Sequence, residues 1–252
     1  MKIQYCSDLH LEFRENKHFI LKNPLIPTGE ILILAGDILP FTEVEKHSDF
    51  FNFLSENFEH TYWVAGNHEY YHSDLGKRRG VFHENIRENV HLVNNTSVIH
   101  GNAKIIFSTM WTSISPMNAW SIMRGMNDFN YIKFEGHSLK AFDYNQVFEE
   151  NFEFIKNAVT SNDQEKCMVV THHVPTLKNY PAEYRNSPLN EAFAVNLDDF
   201  IAGSNIDFWL YGHHHRNIPD FIIENTRLIT NQLGYVGHNE HLVFDRGKVV
   251  EI

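Results

Sequence analysis

Residues 31–37 read ILILAGD. Four large aliphatic residues in succession leave no polar face, so the stretch suits a strand covered on both sides. It is short and ends at a glycine, which favours strand over helix. Six further runs have the same character: KIQYC (2–6), TYWVAG (61–66), KIIFS (104–108), CMVVT (167–171), DFWLYG (207–212) and RLITN (227–231). A last pair, HLVFD and KVVEI, is split by Arg246-Gly247 and predicts a closing hairpin over 241–252.

Helical patterns lie between these runs. Residues 42–58 open on Thr42 as a cap and place Val44, Phe50, Phe51, Leu54 and Phe58 on one stripe. The stretches 141–160 and 189–202 have similar periodicity. Strands alternating with helices predict an α/β fold. Two segments resist this reading: 111–138, an irregular insertion rich in Trp and Met, and 174–190, a loop with three prolines. Long loops of this kind act as lids or binding loops, or simply cover exposed core. With no internal repeat or linker-like shift in composition, residues 1–252 are expected to form one domain with a lid insertion around 111–138.

The ends of the runs carry the chemistry. CSDLH supplies Asp8 and His10, AGDI supplies Asp37, and AGNHE supplies Asn67, His68 and Glu69. THH supplies His172 and His173, and GHHH supplies His213, His214 and His215. In open α/β sheets the carboxyl ends of strands face the ligand crevice, so five separate runs would deliver Asp, Asn and His to a common edge. Side chains at i and i+2 of a strand share a face. His213 and His215 can therefore converge with one another, as can Asp8 and His10, while His214 points elsewhere.

An oxygen and nitrogen donor set without thiolate suits Mn²⁺, Fe or Zn²⁺. The seven candidates Asp8, His10, Asp37, Asn67, His172, His213 and His215 are too many for one ion with an open position and about right for two. Two dications roughly 3.5–4 Å apart need an anion between them. Asp37, alone on its run after Gly36, is the best bridge. Two carboxylates against two dications leave an excess of about two positive charges, which lowers the pKa of bound water and attracts an anionic substrate. That is the outline of a phosphoester hydrolase.

The ordered blocks DLH, GD, GNHE, THH and GHHH, spread over residues 8–215, resemble the calcineurin-like metallophosphoesterase superfamily. The resemblance implies two packed mixed β-sheets flanked by helices in a four-layer α/β/β/α sandwich. It places one divalent metal on Asp8, His10 and His215 and the other on Asn67, His172 and His213, with Asp37 bridging. His68 becomes the catalytic group that assists the leaving group, and the implied reaction is in-line attack on phosphorus by a metal-bridging hydroxide. One departure is visible. The protein Ser/Thr phosphatase branch continues from GD into V-D-R-G, whose Arg clamps phosphate and whose Asp supports the GNH histidine. Here the chain reads GDILPFTE, so His68 has no assigned partner, and Glu69 either serves it or braces the turn. SDLHLEF, GNHEYY, TMWT and MNDF also resemble stretches of compact single-domain phosphohydrolases in the same superfamily.

The expected partner is a small phosphorylated substrate. A diester is favoured because no arginine clamp for a dianionic monoester is evident. The alternatives are a phosphomonoesterase, a nuclease working on short nucleic-acid ends, or a non-catalytic scaffold. A net charge of −11 argues against broad contact with extended nucleic acid. The one dense basic cluster is GKRRG at 76–80. Arg14, Arg124, Asn127, Asp128, Tyr184 and Arg185 are further candidates for substrate contact. Cys6 and Cys167 read as buried small hydrophobes. No run is long enough to span a membrane, and Asp8 interrupts any signal-peptide core, so a cytoplasmic location is expected.

Overall fold

The computed structural model describes residues 1–252. Along the chain run β1 (Lys2–Cys6), α1 (Arg14–Lys22), β2 (Ile31–Ala35), α2 (Ser48–Asn57), β3 (His60–Val64), β4 (Phe82–Arg87), β5 (Val90–Asn94), β6 (Thr96–His100) and β7 (Ala103–Ser108). The second half continues with α3 (Ala119–Gly125), α4 (Asp128–Tyr131), β8 (Lys133–Phe134), β9 (His137–Ser138), α5 (Ala141–Thr160), β10 (Lys166–Thr171), α6 (Asp198–Ala202), β11 (Phe208–Leu210), β12 (Phe221–Ile223), β13 (Thr226–Ile229) and β14 (Val249–Glu251).

Two six-stranded mixed sheets result, ordered β14-β1-β2-β3-β5-β4 and β12-β13-β11-β10-β7-β6. In each, four neighbouring strands are parallel and both edge strands are antiparallel. Burial explains the unbroken apolar runs. On β2, Ile31, Ile33 and Ala35 join Ile105, Phe107, Met168, Val170 and Leu210 in the layer between the sheets. Leu32 and Leu34 point the other way, onto Phe51 and Leu54 of α2 and Ile20 of α1. The second sheet repeats this: Ile106, Val169 and Trp209 face outward onto Ile155 of α5 and Ile201 of α6. Each central strand is covered on both sides, and helices form the two outer layers. No helix is long and apolar enough to cross a membrane.

Three expected elements differ. The helix expected over 42–58 begins as a 3₁₀ segment, Phe41–His47, and turns α-helical only at Ser48. The helix expected over 189–202 is a single 3₁₀ turn, Asn190–Ala192, and the short α6. Its apolar residues serve two different bodies: Ala192 packs with the insertion, and Ala194, Leu197 and Ile201 pack on the second sheet. Between them Val174 and Ala194 form an isolated bridge that holds the segment extended. The expected closing hairpin does not form. Residues Glu240–Val243 make a 3₁₀ turn, and β14 pairs with β1 instead. Glu240 is held there by His215 and by the Tyr235 amide.

The insertion around 111–138 is ordered by its own core. Trp111, Ile122, Phe129, Phe134 and Leu139 pack with Tyr70 and Leu75 from the first half and with Tyr144 of α5.

Candidate metal centre

Beyond their last paired residues the parallel strands continue as loops that hydrogen-bond to one another. The Asp8 and His10 amides donate to the Gly36 and Asp37 carbonyls, and the Gly212 amide donates to the His172 carbonyl. The five blocks therefore converge on one end of the sandwich, three from the first sheet and two from the second. Five residues there adopt left-handed backbone: Asp8 (φ 57°), His10 (47°), Asp37 (55°), His213 (78°) and His215 (52°). Such φ values are uncommon outside glycine and cluster at functional sites. The i, i+2 geometry expected of extended strands is absent, and turned loops do the converging. His213 and His215 still point into the site, while His214 bonds to Gln232.

Two glycines permit the approach. A Cβ on Gly36 (φ +88°) would lie 2.3 Å from the His172 ring, and one on Gly66 would lie 2.2 Å from Asp37 Oδ1. The ligand side chains lie directly against these backbones.

The structure brings all seven candidates together around Asp37. Asp8, His10, Asp37 and His215 form one cluster of mutually close donor atoms; Asp37, His172 and His213 form another. Asn67 Oδ1 joins the second, 3.2 Å from His172 Nε2. In the first cluster His10 Nε2 and His215 Nε2 are 3.0 Å apart. Asp8 Oδ1 lies 3.3 Å from His215 Nε2, and Asp37 Oδ2 lies 3.6 Å from His10 Nε2. In the second, His172 Nε2 lies 3.1 Å from His213 Nδ1 and 3.4 Å from Asp37 Oδ1.

Whether these residues suit cations follows from the other nitrogen of each ring. His172 Nδ1–H donates to the Ala35 carbonyl (2.9 Å), and His213 Nε2–H donates to the Ala192 carbonyl (3.3 Å). His10 and His215 donate through Nδ1–H to Glu12 (3.1 Å) and Glu240 (2.9 Å). Those acceptors fix the tautomers, so in the neutral rings lone pairs face one another at 3.0 and 3.1 Å. Facing lone pairs repel unless a cation or a trapped proton lies between them. Outer carboxylates and carbonyls of this kind orient metal-binding imidazoles. The donor set fits two divalent ions sharing Asp37.

The electrostatics agree. Burial opposes ionisation of Asp37, but the charges of His172, His68 and His10 hold its carboxyl well below the usual range. Burial also disfavours charge on His172 and His215. Asp37 nevertheless pushes His172 up to about 9, and Asp8 with Glu240 pushes His215 up to about 10. Without cations the site draws protons into the same positions. His173 is pushed down to about 3, first by burial and then by His172; it bonds to Thr109 and Tyr144 and packs its ring against His213 at 4.4 Å.

His68 stands beside the two clusters. Its amide donates to Asp37 Oδ1 (2.9 Å), its ring stacks on Tyr71 at 4.2 Å, and its Nδ1 lies 2.8 Å from Glu12 Oε1. Glu12 is thus the partner that the GD block lacks. The signal in the sequence was an acid two residues past His10 in SDLHLEF, and sequence reasoning missed it. Glu69 braces the turn, accepting from the amides of Asp37, Ile38 and Gly66 and from the Trp63 indole at 2.7–2.9 Å. Burial and then Asp37 push its carboxyl up to about 8 against the pull of the Ile38 amide, His172 and Trp63.

A cleft of about 360 Å³ opens over Asp37, Asn67, His68 and His213–His215. Met126 and Asn127 of the insertion, Tyr180 and Tyr184 of the proline-rich loop, Phe193 and Tyr235 form its walls, and no Lys or Arg lines it. Of the other candidates, Arg14 and Arg185 also lie outside it, Arg124 rests on Trp120, and Asp128 is buried behind Asn67. Two of the three GKRRG cations are engaged: Arg78 with Glu84 and the Phe41 ring, Arg79 with Glu135 and Glu150.

Comparison with known proteins bears on the family and the fold. A family model described as calcineurin-like phosphoesterase matches residues 1–217. An uncharacterized protein of Acanthamoeba polyphaga mimivirus is 32% identical over 262 residues, spanning 92% of this chain and 91% of the relative. The solved structure of phosphopantetheinyl hydrolase from Mycobacterium tuberculosis superposes with a TM-score of 0.72 at 18% identity, covering 99% of this chain and 95% of that one.

Proposed function

Since the chain belongs to the calcineurin-like phosphoesterase family, we propose that it hydrolyses a small phosphodiester with two divalent cations, Mn²⁺, Fe or Zn²⁺. Asp8, His10 and His215 hold one ion, Asn67, His172 and His213 hold the other, and Asp37 holds both. Residues 1–252 act as one catalytic domain, with the 111–138 insertion as one wall of the site. The observation that carries this reading is the pair of donor clusters sharing Asp37 at the floor of a cleft without Lys or Arg.

Bound there, the cations supply Lewis-acid neutralisation of the phosphoryl oxygens and a water of lowered pKa. The rest falls to the chain. Glu12 accepts from His68 Nδ1–H, fixing the ring, while Nε2 makes no hydrogen bond to protein. His68 delivers its proton from Nε2 to the leaving oxygen as the ester bond breaks. Tyr71 stacks on the ring and keeps it from rotating. Tyr180, Tyr184, Phe193 and Tyr235 offer apolar faces and hydroxyls to uncharged ester arms. A dianionic monoester calls for a further cation such as a bidentate arginine; none lines the cleft, and Arg216 beside it is committed to Glu183 and Glu240.

A bis-aryl phosphate assayed against the mono-aryl phosphate with Mn²⁺ present tests the reading. Diester kcat/KM is expected to be at least about tenfold higher, and Asp37→Asn is expected to abolish both activities. A monoester preference overturns the diester assignment, and full activity in Asp37→Asn overturns the shared-ligand site. A phosphopantetheinyl ester belongs on the same panel, because its long uncharged arm suits these walls and the Mycobacterium tuberculosis neighbour is named for that group.

A further inference from the structure

Asp128 opens α4 within the insertion and is completely buried. One of its oxygens, Oδ1, accepts from Asn67 Nδ2 at 2.8 Å and from the Tyr71 hydroxyl at 2.9 Å. The other, Oδ2, is buried with no hydrogen-bond partner. A buried carboxylate with one bare oxygen is a costly residue. Its two bonds show where that cost is offset.

Asn67 can present either its oxygen or its NH₂ to the cluster, and only the oxygen can hold a cation. The bond from Nδ2 to Asp128 commits the NH₂ to the carboxylate and turns Oδ1 toward His172 Nε2, 3.2 Å away. The second bond anchors Tyr71, whose ring stacks on His68. We propose that Asp128 is a positioning residue through which the insertion sets the Asn67 amide for the second cation and steadies the His68 ring. The proposal rests on the two-cation reading above and assigns a role to a segment whose other residues act only as walls and core.

Asp128→Leu removes both acceptor oxygens and fills the space, so the loss of second-ion affinity can be read without a cavity beside it. The wild-type chain, titrated with Mn²⁺ by calorimetry and counted by elemental analysis, is expected to hold two ions. Asp128→Leu leaves the Asn67 amide and the Tyr71 hydroxyl without an acceptor, so it should melt, metal-free, somewhat below wild type, and bind the second ion about 10–100-fold more weakly, as loss of an outer partner typically does. Excess Mn²⁺ should restore its activity. Asp128→Asn keeps one acceptor oxygen and should recover most of the affinity. Asn67→Ala combined with Asp128→Leu should bind metal no worse than Asn67→Ala alone. Unchanged second-ion affinity in Asp128→Leu overturns the proposal. If that variant does not fold, Asp128→Ala carries the same comparison, with a lower melting point and intact affinity as the refuting result. A wild-type chain that takes up no second ion overturns the two-cation reading as well, whereas two ions with an indifferent Asp128 overturn only this role.

Discussion

Gly66→Ala isolates the contact on which the shared ligand depends. Gly66 follows Ala65 just past β3, and its backbone is outside the left-handed region, so alanine meets no conformational penalty there. What it meets is steric. The added methyl would lie 2.2 Å from Asp37 Oδ1, 2.7 Å from the Asp37 amide nitrogen and 2.8 Å from His172 Cε1, where ordinary contact begins at 3.4 Å. The Asp37 carboxylate must therefore retreat by about 1 Å, a displacement that typically costs 10²-fold in rate when it falls on positioned groups. Overpacking of this kind costs about 1–3 kcal/mol, or a melting point lower by roughly 2–12 °C in a chain of this size. Gly237→Ala is the control, since nothing lies within 4 Å of its added methyl. Metal content, diester turnover and metal-free melting of both variants are the measurements. Gly66→Ala is expected to hold fewer than two ions and to lose about 10²-fold or more in kcat, with Gly237→Ala unchanged. Two tightly held ions and wild-type turnover in Gly66→Ala would show that Asp37 is not confined against Gly66 and that the shared-ligand geometry is wrong.

Burial pushes the Glu12 carboxyl up, but the charge and hydrogen bond of His10 and then those of His68 pull it down to about 2 from an ordinary 4.5. A lowered folded pKa means that its stabilisation is complete above about 4.5 and disappears as the pH falls toward 2; metal-free Glu12→Gln should be less stable by on the order of 2 kcal/mol at pH 6, with the gap closing on acidification. A gap that is constant across that range, measured by denaturant unfolding, removes Glu12 as the charged partner. The same variant should lose more turnover with alkyl than with nitrophenyl leaving groups, because the former depend on the His68 proton; equal losses would argue against that route. His214→Ala should keep two ions while losing about 2–4 kcal/mol of stability with its buried imidazole, whereas His213→Ala or His215→Ala should each cost an ion. An ion lost from His214→Ala contradicts the division of the three histidines.

Most central strands were legible because both of their faces are apolar: β2, β10 and β11 each carry one row into the layer between the sheets and the other onto helices, whereas β5 was not read, its VHLVN being broken by the half-buried His91. Strands β4 and β6 were not, because they are edge strands. FHENIR and TSVIH mix polar and apolar residues, and their partners β5 and β7 lie close by in the chain, so pairing decides what composition does not. The stretch 189–202 shows the opposite failure. Helical spacing of apolar residues was present, but those residues belong to two separate cores, and one helix cannot serve both. Periodicity reports that residues are buried; it does not report that they are buried together.

For the site, the sequence identified the right side chains through an incorrect local geometry. Asp8 with His10 and His213 with His215 were paired by strand alternation, yet all four lie beyond strand ends in left-handed backbone. A strand would carry its ligands past the site at about 3.3 Å per residue. A left-handed turn bends the chain back, so that two nearby residues can address one point. Non-glycine residues held at such φ cost of order 1 kcal/mol or more each, and five of them persist only because the surroundings leave no alternative. Those surroundings are visible: Asp8 accepts from the His213 amide, Asp37 accepts from the His68 amide, and Glu69 holds the Asp37 and Ile38 amides. Two of these three acids, Asp8 and Asp37, are also ones that would hold cations. Cations bound there would tie together the loops that carry the strain, and should stabilise the loops more than the sheets. Hydrogen exchange with and without Mn²⁺ checks this: protection should rise at residues 7–12, 36–38, 66–69 and 212–216 and stay level in β2 and β10. A uniform rise across both sheets would mean that the ions stabilise the whole fold and that these loops are rigid without them.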